Sequence, residues 1–107
     1  MNLITCGELK AKIDSNGDFK LVNALPEDKF KLMYIPGSIN IFQHDMIDEL
    51  LIPKDDIVVY CTDESCSHSI VLYQKLEEAG FEMIARFAGG LRRWEEDGHP
   101  LEGEMVR

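Results

Sequence analysis

Ile57-Val58-Val59-Tyr60-Cys61-Thr62-Asp63-Glu64-Ser65-Cys66-Ser67-His68 is the stretch from which the fold of this chain is read. Ile57 to Tyr60 is a short continuous apolar run, the pattern of a strand buried on both faces. Past the polar loop Thr62 to Ser67, Ser69, Leu72, Tyr73, Leu76 and Ala79 recur at helical spacing, and Gly80 stands where a left-handed C-cap belongs. A buried strand therefore feeds a helix through a polar loop, with Cys61 at the junction. Backbone N–H groups converge at such a junction, and the helix dipole favours an anion there. A thiolate is such an anion: a cysteine whose pKa falls to ~6.5, within the range seen at helix N-termini, is about three-quarters ionised at neutral pH. The loop reads as a nucleophile's seat.

On either side the same alternation continues. Thr5-Cys6-Gly7-Glu8 has the form of a capping box ahead of Leu9 and Ile13, which predicts a first helix to about Asp14, ended by the Ser15-Asn16-Gly17-Asp18 turn. Cys6 then lies at a helix start and reads as a half-buried small residue. Phe19 to Ala24 reads as a strand, Glu27 to Leu32 as a short helix introduced by Pro26, and Ile39 with Ile41 as a brief strand after the Pro36-Gly37 turn. A helix over Asp45 to Leu51, closed by Pro53, precedes the strand that carries Cys61. Phe81 to Phe87 supplies another strand, Gly89-Gly90 breaks it, and Leu91 to Asp97 forms a last helix around Trp94, which with Phe87 is assigned to the core. The tail from about Leu101 to Arg107 is expected to be loose. Strands alternating with helices predict an α/β fold in three layers, a mainly parallel sheet of about five strands flanked by helices. Ligands in such folds bind beyond the carboxyl ends of the strands, where Cys61 falls.

At 107 residues and 45% hydrophobic content, the chain fits one domain, residues 1–107, with a single small core. Carboxylates outnumber Lys plus Arg by 20 to 11, giving a formal charge of -9. That balance argues against nucleic acid and anionic membrane surfaces as partners, since both demand a basic face. No opening stretch has the character of a secretory signal, and no apolar run is long enough to cross a bilayer. Three cysteines, an odd count, suit a reducing compartment. A cytoplasmic protein is expected.

Taken together, Tyr34-Ile35-Pro36-Gly37-Ser38-Ile39-Asn40, the strand ending at Tyr60-Cys61, the helix closing on Leu76-Glu77-Glu78-Ala79-Gly80-Phe81, and Gly89-Gly90-Leu91-Arg92-Arg93-Trp94 resemble the rhodanese-like, single-domain sulfurtransferase family over nearly the whole chain. The resemblance implies a catalytic cysteine, by position Cys61, that takes a sulfane sulfur from a donor, carries it as a persulfide and passes it to a nucleophilic acceptor. Backbone amides of Thr62, Asp63, Glu64, Ser65, Cys66 and Ser67 would cradle the charged sulfur. Implied partners are a small sulfur donor or a persulfide-bearing protein, and a thiol or cyanide-type acceptor. The scheme needs no cofactor and no metal.

The chain departs from the family pattern in three places. Asn23-Ala24-Leu25 stands where an Asp-x-Arg pair is usual, Tyr34 where a histidine usually precedes Ile-Pro-Gly, and the loop after Cys61 is about two residues longer and free of arginine. A carboxylate ~6 Å from a bound sulfur anion costs roughly 3 kcal/mol at an effective dielectric near 20. Asp63 and Glu64 therefore either point into water or select a persulfide over thiosulfate, unless Arg92 or Arg93 offsets them. Cys66 is open between a disulfide with Cys61, a thiol that resolves a persulfide or sulfenate on Cys61, the reactive thiol itself, and a loop residue tucked against the core. A phosphatase would want an arginine closing the loop, and a zinc site drawn from Cys61, Cys66 and His68 with His44 or His99 has only one weak cluster behind it. The alternative from a different class is a rhodanese-fold binding or regulatory module with little catalysis. A Cys61 thiol protonated well above neutral pH, or a side chain sealed in the interior, would remove the enzymatic case and leave only the scaffold assignment.

Overall fold

The computed structural model describes residues 1–106. Its elements run α1 (Cys6–Asp14), β1 (Lys20–Asn23), α2 (Glu27–Leu32), β2 (Ile39–Asn40), a 3-10 turn (His44–Met46), α3 (Ile47–Leu50), β3 (Ile57–Tyr60), α4 (His68–Glu78), β4 (Ile84–Phe87) and α5 (Gly90–Glu96). The strands form one parallel sheet in the order β2-β1-β3-β4. β3 lies in its interior, all four residues buried, which is why its sequence shows no polar alternation. The register aligns Val22, Val59 and Arg86 across three strands, and next to them Asn23, Tyr60 and Phe87.

Local chemistry sets the helix ends. Thr5 Oγ1 accepts from the Glu8 N–H at 3.1 Å and the Glu8 carboxylate accepts from the Thr5 N–H at 3.0 Å, the reciprocal box expected from these residues. Those hydrogen bonds hold the Glu8 carboxyl below its ordinary range. α4 buries Ser69, Leu72, Tyr73 and Leu76 and ends on Gly80 at φ 92°, with the Phe81 N–H donating to Leu76 O and the Gly80 N–H to Glu77 O. Phe81 is occupied by this cap, so β4 begins only at Ile84 and not at Phe81.

Three further expectations are corrected. Among the described residues the sheet has four strands, not about five, and next to β4 there is only the isolated bridge from Leu3 to Arg86, held by Arg86 N–H to Asn2 O and Ile4 N–H to Arg86 O. The helix over Asp45 to Leu51 divides into the 3-10 turn and the single turn of α3. The tail is tied down as far as Val106, and Arg107 lies outside the described residues. α2 ends with unpaired carbonyls, and the N–H groups of Glu104 and Met105 donate to Lys31 O and Leu32 O, while Tyr34 and Glu102 exchange a pair of bonds.

The Gly89-Gly90 break has a specific geometric cause. The Leu91 and Arg92 N–H groups at the start of α5 donate to the carbonyls of Cys61 (3.0 Å) and Thr62 (2.9 Å). Gly90 turns the chain into that contact at φ 58°, and a Cβ there would collide with the Cys61 and Thr62 main chain. Gly80 also has positive φ but open space around its missing Cβ. Gly80→Ala should therefore cost about 1–2 kcal/mol for the left-handed backbone alone, and Gly90→Ala should cost at least about 3 kcal/mol. Urea or thermal unfolding of the two variants checks the order. Equal losses would mean that α5 does not depend on close approach to the end of β3.

Candidate active site

Cys61 is the first residue beyond β3, at the carboxyl end of the sheet. Its carbonyl is fixed by α5, and its side chain is 1% exposed. Sγ is bonded to Cys66 Sγ, across a Cα–Cα separation of 6.4 Å. Of the readings open for Cys66, the structure shows the disulfide, with Cys66 half-buried over Cys61.

Beneath this pair lies an array that sequence reasoning did not anticipate. Ser69 Oγ, in the first turn of α4, is 3.4 Å from Cys61 Sγ. The same Oγ accepts from Arg86 Nε at 2.9 Å, and Arg86 Nη2 reaches Glu64 O at 3.4 Å. Arg86 is 7% exposed, and among the described residues no carboxylate forms an ion pair with it. A buried guanidinium without a counter-ion makes its surroundings favourable to an anion. The signal in the sequence was the one charged residue inside the apolar run Ile84-Ala85-Arg86-Phe87.

The loop is folded upon itself. Asp63 Oδ1 accepts from Ser65 N–H (3.0 Å) and Ser65 Oγ (2.6 Å), and Asp63 O accepts from Cys66 N–H (3.1 Å). The Ser65 hydrogen bonds hold the Asp63 carboxyl below its usual range, with a smaller contribution from Arg92. This corrects the expectation of a cradle built from all six loop amides: in the bridged state, the amides of Ser65 and Cys66 are committed to Asp63. Asp63, Glu64 and Ser65 line a depression of about 380 Å³ with Gly89, Arg92, Arg93 and Glu96. Arg92 pairs with Glu96 at 3.7 Å and Arg93 with Asp97 at 3.2 Å, so both arginines reach the rim of the site while engaged by acids of their own helix.

The zinc grouping drawn from the sequence is not assembled, because the sulfurs of Cys61 and Cys66 are spent on each other. His68 Nδ1 lies 3.6 Å from Cys66 Sγ, and the His68 ring packs edge-on to Phe42. The ligand-type atoms that do lie together, within 4.8 Å, belong to Cys6, Asp97 and His99. There burial and a hydrogen bond to Asp97 push the Cys6 thiol up to about 11. Cys6 is thus a neutral thiol at physiological pH, and it is buried, not half-buried as expected, because α1 turns its first residue into the core. Phe87 and Trp94 are buried edge to face with ring centroids 6.3 Å apart, and Trp94 Nε1 donates to Pro100 O at 2.7 Å.

Known proteins resemble this chain over most of its length. Over 101 residues the chain is 31% identical to the HTH-type transcriptional regulator Rv0324 of Mycobacterium tuberculosis, covering 92% of this chain and 44% of that protein. Over 108 residues it is 31% identical to the adenylyltransferase and sulfurtransferase UBA4 of Lodderomyces elongisporus, covering 88% of this chain and 23% of that protein. The chain thus spans less than half the length of either curated relative. The rhodanese-like domain of the Anabaena protein Alr3790 superposes with a TM-score of 0.83 at 25% identity, covering 98% of this chain and 81% of that one. No helix among the described residues is long and apolar enough to cross a membrane. With the rhodanese-like domain pattern matching residues 5–97, and a parallel sheet carrying a cysteine at the carboxyl end of its β3, the chain belongs to the rhodanese-like domain family.

Proposed function

We propose that this protein is a sulfurtransferase in which Cys61, once freed from Cys66, takes a sulfane sulfur from a donor and hands it to a nucleophilic acceptor. The observation that supports this reading is the array of Cys61 Sγ, Ser69 Oγ and the buried Arg86 guanidinium. Because Ser69 Oγ accepts from Arg86, its own proton is free to be donated to a thiolate on Cys61. A charge held through that hydroxyl, about 6 Å from the sulfur, is worth roughly 3 kcal/mol to the anion at an effective dielectric near 20. The first turn of α4 adds its dipole. The thiolate attacks the outer sulfur of the donor, the donor's remaining group leaves with the bonding pair, and Cys61 is left as a persulfide.

The rim selects among donors. Asp63, Glu64 and Glu96 face Arg92 and Arg93 around the depression, an excess of negative charge. A doubly charged thiosulfate gains little there, so a persulfide donor is preferred, as a small molecule or on a protein. The acceptor is a thiol or a cyanide-type nucleophile. With no membrane segment in the described residues and with thiols required for turnover, we place this activity in the cytoplasm.

Three outcomes test the scheme. The bridged protein has no thiolate at position 61, so it should be inactive until treated with a dithiol. The reduced protein should then release thiocyanate from cyanide plus a sulfur donor, faster with a persulfide than with thiosulfate, and Cys61→Ser should abolish it. Activity surviving that substitution would remove Cys61 from the mechanism. Arg86→Met replaces an unpaired buried charge by an apolar chain of similar length, so thermal stability should hold or rise. Sulfur transfer at neutral pH should nevertheless fall by about tenfold or more and recover at alkaline pH, since loss of the cation moves the thiol's ionisation upward. A flat pH profile identical to that of the parent would confine Arg86 to packing.

A binding or regulatory module with little catalysis is the second reading, and one observation favours it: the 1% exposure of Cys61. Failure of the reduced protein to accept sulfur from any donor would establish that alternative.

A further inference from the structure

The position of Cys66 serves a purpose that sulfur transfer to an external acceptor does not require. Its sulfur is within bonding reach of Cys61 Sγ while the loop between them is held by the Asp63 turn and by Arg86 on Glu64 O. The Cα–Cα distance of 6.4 Å falls inside the range that a disulfide spans without backbone movement. On the far side of Cys66, His68 Nδ1 is 3.6 Å from its sulfur, and the imidazole is exposed. Once the bridge is reduced, the outer face of the site would carry a second thiol within reach of Cys61 Sγ, beside an imidazole nitrogen that accepts a proton in the tautomer leaving Nδ1 bare.

We propose that Cys66 is a resolving thiol that turns the persulfide on Cys61 into hydrosulfide, so that the protein releases sulfane sulfur in reduced form. This inference rests on the sulfurtransferase reading given above. Cys66 passes its proton to His68 Nδ1, and the thiolate attacks Cys61 Sγ. The Cys66 Sγ–Cys61 Sγ bond forms, the bond from Cys61 Sγ to the sulfane sulfur breaks, and that sulfur, protonated as the outer SH of the neutral persulfide, leaves with the electron pair as HS⁻. The sulfane sulfur is reduced to sulfide and the two cysteines are oxidised to the disulfide seen in the structure. A dithiol reductant then opens the bridge by exchange, taking the oxidation onto its own pair of thiols and returning Cys61 and Cys66 to the reduced state. Attack at the inner sulfur is what the direct reach between the two Sγ atoms favours. Partner chemistry follows from the balance: the protein consumes a persulfide and a dithiol and produces sulfide.

The test uses the whole chain, reduced under anaerobic conditions, freed of reductant and given one equivalent of glutathione persulfide. The expected result is about one sulfide per chain, with peptide mapping showing the Cys61–Cys66 bridge and no sulfur retained on Cys61. Cys66→Ser, once charged with sulfur, should keep it on Cys61, its sulfide release per loaded chain falling by about tenfold or more; Cys66→Ala, checked by thermal melting, guards against a fold defect in either variant. Added dithiothreitol should return the wild-type protein to its thiols and permit a second round. Wild-type protein that retains the persulfide with Cys66 still reduced overturns the resolving role and leaves sulfur transfer standing, as does undiminished sulfide release from both variants. Protein that takes up no sulfur, with or without Cys66, overturns the sulfurtransferase reading and this inference with it. If both variants unfold, the wild-type sulfide stoichiometry and bridge mapping decide alone.

Discussion

The docking of α5 onto the carbonyls of Cys61 and Thr62 is the constraint on which the site depends. A strand that ends inside a domain leaves its last carbonyls without ladder partners, and burying them unpaired would cost about 1–3 kcal/mol each. Leu91 and Arg92 supply the missing N–H groups from an orphan helix N-terminus, so the same two bonds satisfy a strand end and a helix start. Because a Cβ at position 90 would collide with the Cys61 and Thr62 main chain, the position of Cys61 is set by a glycine nearly thirty residues away. The tyrosine before it is pinned as well: Tyr60 Oη accepts from the Ile35 N–H at 3.0 Å and shares a 2.6 Å bond with Ser38, tying the Pro36-Gly37 turn to the same strand end.

On that fixed frame the charge is supplied from below. Arg86 stands beside Val59 in the sheet register, and its guanidinium runs under the loop to Ser69 and Glu64. Burying such a group without a carboxylate is unfavourable for stability. The structure retains it where a sulfur anion would form. The role that a loop arginine would otherwise fill is thus taken by a residue on the neighbouring strand, and the rim arginines are left to balance the loop's own acids.

Much of this architecture was legible in the residues, and the exceptions have physical causes. The buried run Ile57 to Tyr60, the capping box at Thr5 and the Schellman turn at Gly80 are local patterns whose partners lie within a few residues, so sequence carries them whole. The strand beginning at Phe81 was misjudged because a cap claimed its first residues, and the tail was misjudged because its partners, the carbonyls of Lys31 and Leu32, lie some seventy residues upstream. Arg86 and Ser69 are hard to read for the same reason: their significance is a hydrogen bond across seventeen residues, and the only local sign of it is a charged residue in the apolar run of β4. Cys61 could be located by position, but whether its sulfur was free could not, since bridging to Cys66 depends on how the loop turns at Asp63.

That turn sets the relation between the two states of the loop. While Cys66 is bonded to Cys61, its N–H and that of Ser65 are held by Asp63, and the sulfur below is covered. Opening the bridge releases the sulfur without moving β3, Ser69 or α5, because none of their hydrogen bonds passes through Cys66. Residues 65–67 can therefore rearrange over a floor that still holds the Thr62 and Glu64 carbonyls, with Ser65 and Cys66 amides exchanging Asp63 for an anionic sulfur at little net change in hydrogen bonding. The burial of Cys61, taken alone, argues for an inert scaffold. Set beside a covalent cover that a dithiol can reverse and a buried cation without a carboxylate partner, it also fits the proposed nucleophile, held shut in the bridged state.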